Sequence, residues 1–194
     1  MDVKERLDQI RERISNADFL ANKGLANEVG VHVFCYDPKD ELAVQHGVEM
    51  LMNATNVPFR VRCCDLYEIF LSLLKKKKAL DAVAPLEKKR GKDYLLAQLQ
   101  KIAAPEKIVE QMLEGLREEP LVSGQDVLFI TGVGKVHPFM RAHKLLDNMQ
   151  EISDVVPIVL FYPGTFDGQT LRLFDEFVDG HYYRAFNLLA EATK

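Results

Sequence analysis

The sequence predicts an α/β protein, a three-layer sandwich built on a mostly parallel sheet. Three observations lead there. Residues 126–131 and 155–162 contain short, continuous apolar runs, the pattern of strands covered on both faces. Strand-like and helix-like segments alternate along the chain. Asp37-Pro38 and Asp65, each directly after a strand-like run, are helix-start signals. A chain of 194 residues, 47% hydrophobic and 28% charged, can bury a sizeable core, so one domain over 1–194 is expected.

The elements follow in order. Residues 2–15 space Val3, Leu7, Ile10 and Ile14 at three and four, as an amphipathic helix does. Residues 31–36 (VHVFCY) form the first strand. Asp37 then offers an N-cap, Pro38 a first helical position, and Asp40 and Glu41 negative charge at the positive helix end, for a helix to about residue 52. Residues 59–64 form the second strand. Asp65-Leu-Tyr-Glu68 opens a helix with Leu66, Ile69, Phe70, Leu73 and Leu74 on one stripe.

Residues 75–119 are helical and highly charged, with Pro85 and Pro105 suited to first turns and amphipathic runs near 94–102 and 106–116. They read as a helical insertion between the second and third strands that projects from the sheet. The third strand is 126–131, a helix spans 138–149, and the fourth strand is 155–162. The period of 182–188 fits a strand or a helix equally. The sheet is therefore expected to be Rossmann-like or degenerate P-loop-like.

Several function classes drop out. No stretch of about 18 apolar residues could span a membrane. The charged start, Met1-Asp-Val-Lys-Glu-Arg6, does not resemble a signal peptide. A net charge of −4 argues against a protein whose main work is coating nucleic acid. Cys35, Cys63 and Cys64 suit neither a disulfide framework nor a zinc site, and reduced thiols inside strands of a cytoplasmic protein are expected.

Thr131-Gly-Val-Gly-Lys135 invites comparison with a phosphate loop. A Walker A loop needs a glycine five positions before Gly134 and a hydroxyl after the lysine. Here those positions hold Phe129 and Val136. The third glycine of a dinucleotide fingerprint is also missing. A simpler anion or partner site remains open at Thr131, Gly132, Gly134 and Lys135. On the expected helix, His137, Arg141 and Lys144 would share one sector beside that loop. The plain alternative is a solvated helix face. His143 falls on the apolar side, as a structural histidine, and the His137–His143 spacing of six does not match a helical metal pair. No metal or cofactor is expected.

Tyr162-Pro-Gly-Thr-Phe-Asp-Gly168 reads as a turn after the fourth strand, with Tyr162, Pro163, Gly164, Asp167 and Gly168 as a candidate partner surface; simple turn chemistry explains it equally well. The loops after strands three and four should emerge side by side. No serine lies in a Gly-x-Ser-x-Gly elbow and no cysteine in a basic, exposed setting, so no catalytic residue is assigned. Lys75–Lys78 with Lys88, Lys89, Arg90 and Lys92 make a basic segment that could contact DNA in an auxiliary role. Only Tyr94 is near it, so the stacking of single-strand binders is missing.

Taken together, Gly24-Leu-Ala-Asn-Glu28, Tyr36-Asp-Pro38, Asp65-Leu-Tyr67, Thr131-Gly-Val-Gly134, His137-Pro-Phe-Met-Arg-Ala-His143, Tyr162-Pro-Gly164, Asp167-Gly-Gln-Thr-Leu-Arg-Leu-Phe174 and Tyr182-Tyr-Arg-Ala-Phe186 make the chain resemble the BrxB family of BREX (bacteriophage exclusion) defence systems. The resemblance runs from about residue 5 to 190 and is poorest in the lysine-rich middle. It implies a cytoplasmic protein encoded beside an AAA+ ATPase (BrxC), an adenine-specific DNA methyltransferase (PglX), a phosphatase-like protein (PglZ) and often a Lon-like protein (BrxL). It carries no chemistry that transfers to particular residues. The expected function is a non-catalytic assembly or adaptor subunit, bridging the PglZ-like protein with the BrxC-like or PglX-like one. The alternatives are a nucleotide- or phosphate-sensing module without hydrolysis, or auxiliary DNA contact.

Overall fold

The computed structural model describes residues 2–23, 30–178 and 185–189. Of the segments singled out above, 24–28 and 182–184 lie outside the described residues. The first helix, α1 (Val3–Ile14), buries Leu7, Ile10 and Ile14, and a short α2 (Ala17–Leu20) follows. After β1 (Val31–Tyr36), a 3-10 turn at Pro38–Asp40 opens α3 (Glu41–Met52), with the Asp37 side chain accepting from the Lys39 amide. The next strand, β2 (Arg60–Asp65), runs directly into α4 (Leu66–Lys76). Between it and β3 (Asp126–Thr131) lie α5 (Val83–Arg90), α6 (Lys92–Ile102) and α7 (Pro105–Gly115).

Beyond β3 come three short helices, α8 (Val133–Val136), α9 (Ala142–Leu146) and α10 (Gln150–Ser153). The chain then enters β4 (Ile158–Phe166), β5 (Leu171–Leu173), β6 (Phe177–Val178) and β7 (Phe186–Asn187). The seven strands form one mixed sheet, its main path ordered β2-β3-β4-β1-β7 with every neighbour parallel. The fold is therefore α/β with a parallel middle, as expected. Its strand order differs from the 3-2-1-4-5-6 of dinucleotide-binding sheets.

Alternation along the strands sends successive side chains to opposite faces. Leu128, Ile130, Ile158 and Leu160 join a cluster with Phe70 and Leu73 of α4, Leu95 and Leu99 of α6, and Ile108 and Met112 of α7. Val127, Phe129, Val159 and Phe161 join the opposite cluster, with Ile10 and Ile14 of α1 and Val44 and Val48 of α3. Helices thus cover both sheet faces, which explains why β3 and β4 read as continuous apolar runs.

Four expectations need correction. The helical segment after α4 does not simply project, because α6 and α7 bury Leu95, Leu99, Ile108, Val109 and Met112 against the core. Of these three helices α5 alone has no fully buried residue, though Val83 and Leu86 pack partly buried against the same core. The run 138–149 is not one helix: the His137–Pro138 peptide is cis, and helix begins again only at Ala142. The fourth strand starts at Ile158, not residue 155, with Pro157 before it and Val155 exposed. It does not end at Tyr162 but continues through Pro163 and Gly164, pairing antiparallel with β5.

Candidate functional site

Because β1 to β4 are parallel, Tyr36, Asp65, Thr131 and Tyr162 arrive at the same edge of the sheet, where α/β proteins hold ligands. Two distinct arrangements are built there.

The first centres on Asp65. One carboxylate oxygen accepts the Tyr67 and Glu68 amides at 2.9 and 3.2 Å, capping α4. The other accepts from Lys135 Nζ at 3.1 Å and from Thr131 Oγ1 at 3.4 Å. Gly132 makes this closure possible. It sits at φ +76°, and a Cβ there would run into the Asp65 carboxylate. So Lys135 is directed to a carboxylate on the neighbouring strand. Close by, the Tyr36 hydroxyl donates to Glu41 at 2.6 Å; burial, then that carboxylate, pushes its ionisation well above the usual phenol range.

The second arrangement is a cleft of about 360 Å³ beside α8. His137, Arg141, Tyr162 and Glu176 line it together with Val133, Met140, Leu173, Phe177 and Val178. Tyr162 is buried, whereas Phe177 and Val178 are 48% and 49% exposed at its rim. The His137 ring lies 5.0 Å from that of Phe177 and 6.4 Å, edge-on, from that of Phe174. Gly134 lets α8 approach this wall, since a Cβ there would meet Phe174 at 3.0 Å and Pro163 at 3.1 Å.

The expected anion group is therefore divided. Thr131, Gly132 and Lys135 belong with Asp65; His137 and Arg141 face the cleft; Lys144 is exposed on α9 and is not among the cleft-lining residues. Of the expected turn surface, Tyr162 enters the cleft, Pro163 packs beside Gly134, and Gly164 pairs with Leu173. Asp167 and Gly168 sit at the tip of the β4–β5 hairpin. There the Asp167 carboxylate accepts the Thr170 and Gln169 amides at 2.6 and 2.9 Å, which hold it below the usual range. Glu176, Phe177 and Val178 escaped sequence reasoning. Their only signal is two apolar residues following two acids in a loop-like stretch.

Burial pushes the Cys35 and Cys64 thiols up to about 12 and raises that of Cys63, which leaves none activated as a nucleophile. Among the described residues no group of three or more His, Cys, Asp or Glu could hold a metal ion. No helix among them is long and apolar enough to cross a membrane.

Fold and site thus define an α/β protein whose sheet edge carries a partly apolar cleft beside a self-paired glycine loop. Comparison with known proteins supplies the family. The model of the family described as "BREX protein BrxB" matches residues 62–188. A BREX protein BrxB of Bacillus cereus (strain H3081.97) is 39% identical over 191 residues, covering 96% of this chain and 97% of the relative. A second, from Escherichia coli O9:H4 (strain HS), is 30% identical over 189 residues, covering 97% and 92%. No solved structure matches the chain. The chain belongs to the BrxB family of BREX proteins.

Proposed function

We propose that this BREX protein is a non-catalytic assembly subunit in phage defence. In this reading it works in the cytoplasm and bridges the PglZ-like protein with the BrxC-like ATPase or the PglX-like methyltransferase. One observation carries the reading: the cleft pairs a buried floor at Tyr162 with a half-exposed apolar rim, Phe177 and Val178, flanked by Arg141 and Glu176. Aromatic and arginine side chains around a small pocket are the usual anchors of a protein interface. The partner segment would place an apolar side chain in the cleft and polar groups against Arg141 and Glu176.

The test is affinity purification of the tagged chain co-expressed with its operon neighbours. Wild type retains at least one neighbour, and Arg141→Glu together with Phe177→Asp lowers its recovery. If no neighbour co-elutes in any combination, the adaptor reading fails. The nucleotide-sensing alternative draws on the same Gly132, Gly134, Lys135, His137 and Arg141. It has less support, because Lys135 is already paired with Asp65. Its signature is a thermal shift, and ligand at about 100 times its dissociation constant adds roughly 2.7 kcal/mol. No shift with millimolar ATP or GTP, with or without magnesium, dismisses it.

A further inference from the structure

The basic segment between β2 and β3 plays no part in the cleft. Residues 75–92 hold eight basic side chains against two acidic ones, Asp81 and Glu87. That is a net of +6, which leaves −10 on the rest of a chain whose total is −4. All eight basic residues are exposed. Lys75 and Lys76 end α4, Lys77 caps it, and Lys78 follows at φ 51°. Lys88, Lys89 and Arg90 end α5, and Lys92 begins α6.

The helix joining the two clusters adds little to the core, against which only Val83 and Leu86 pack, each partly buried. No residue of α5 is fully buried, in contrast to α6 and α7, which follow it. Among the described residues, Lys76 pairs with Glu114 and Arg90 lies over the Tyr94 ring; no ion pair involves Lys75, Lys77, Lys78, Lys88, Lys89 or Lys92. Like charges concentrated in so short a stretch repel one another, and among the described residues only Lys76 of them is answered by an ion pair.

We propose that this ridge is a docking surface for the phosphodiester backbone of duplex DNA. The composition selects that ligand. Seven of the eight charges are lysines, flexible point charges that suit phosphate, and only one is the planar fork that reads base edges. The lone nearby aromatic is engaged with Arg90, so there is no ladder for stacking unpaired bases. The eight residues of α5 span about 12 Å, the distance along which a duplex presents roughly seven charges. The −10 elsewhere repels DNA, so contact is confined to the ridge and leaves the cleft clear for a protein.

The test uses the full chain and a fluorescently labelled duplex of mixed sequence, of about 20 base pairs, with affinity followed by anisotropy across a salt series. About five phosphate contacts give a slope near −4.5, a loss on the order of 500-fold between 50 and 200 mM salt. Reversal of Lys75, Lys77, Lys78, Lys88 and Lys89 to Glu abolishes binding. Lys144→Glu, on α9, leaves it unchanged, and the far-ultraviolet circular dichroism of all variants stays that of wild type. The proposal is overturned by no binding at 50 mM salt, by binding that survives the reversal, or by polyglutamate competing as well as DNA at equal charge. Loss of a protein neighbour on reversal, with no duplex bound by wild type, would make the ridge a protein dock and equally overturn it.

Discussion

Lys135 of α8 and Asp65 at the end of β2 meet at 3.1 Å, and the same carboxylate that receives the lysine caps α4 through its other oxygen. One side chain therefore ties the glycine turn to the next helix. In a phosphate loop the corresponding lysine would be held ready for ligand; here its charge is answered within the fold.

The two halves of that tie should separate by mutation. Asp65→Ala removes the cap and the ion pair together, and loss of a cap alone costs about 1–2 kcal/mol. Asp65→Asn keeps an accepting oxygen for the amides, and Lys135→Met removes only a partly exposed pair, so each should cost under about 1 kcal/mol. Gly132→Ala should be the costlier change in the loop. Its left-handed backbone disfavours a side chain by about 1–2 kcal/mol before the contact with Asp65 is added. Urea midpoints give the order directly, and an Asp65→Asn as damaging as Asp65→Ala would contradict it.

Asp126 is the buried anchor of the β2–β3 edge. It has no exposed surface, takes a bidentate Arg60 at 2.6 and 2.8 Å, and accepts the Val122 amide at 2.8 Å. Burial pushes its carboxyl up, but Arg60 and Val122 outweigh that and hold it below the ordinary range. The sign follows: its contribution is present above the unfolded value near 4 and is lost as pH falls toward the folded one. Asp126→Ala should cost about 2–3 kcal/mol, less than a fully enclosed pair because Arg60 can turn to water. Acid titration of wild type and variant should begin to converge only below about pH 4.

His32 predicts a separate, milder acid sensitivity. Its ring lies 4.8 Å from Phe19 and 6.2 Å from Phe186, and burial, aided by Arg13, lowers its pKa to about 4. The unfolded chain takes up the proton first, near 6.5, so stability declines from there down to about 4. By pH 5 the loss is about 2 kcal/mol. His32→Leu should flatten thermal stability between pH 7 and 5, and an unchanged slope would show that another group is responsible.

How much of this was readable beforehand depended on whether the cause was local. Asp37 and Asp65 announced their helices because a carboxylate caps the amides that follow it within a few residues. The runs at β3 and β4 were visible because both their faces are covered. The strand reads as ending at Tyr162, with Pro163-Gly164 opening a turn. Yet the Pro163 carbonyl accepts the Phe174 amide at 2.9 Å, and the strand continues into the hairpin with β5. The spacing of Leu95, Leu99, Ile108 and Met112 showed amphipathic helices but not what they cover. Glu176, Phe177 and Val178 join His137 only through that hairpin, a contact across about 40 residues that no local pattern encodes.

That same hairpin supplies the sharpest test of the cleft, because its floor and rim differ in burial. Tyr162 is 1% exposed and packs in the core, so Tyr162→Ala should cost about 3–5 kcal/mol and disturb folding generally. Phe177 and Val178 are half exposed on a two-residue strand, and Phe177→Ser with Val178→Ser should leave the melting temperature within a few degrees. An interface built on the rim would nevertheless lose most of its affinity, since an aromatic anchor there is worth 2 kcal/mol or more, about 30-fold. Pull-down of the operon neighbours with the folded double variant decides the matter: undiminished recovery would place the contact elsewhere on the molecule, while loss of recovery at unchanged stability would fix it on the cleft.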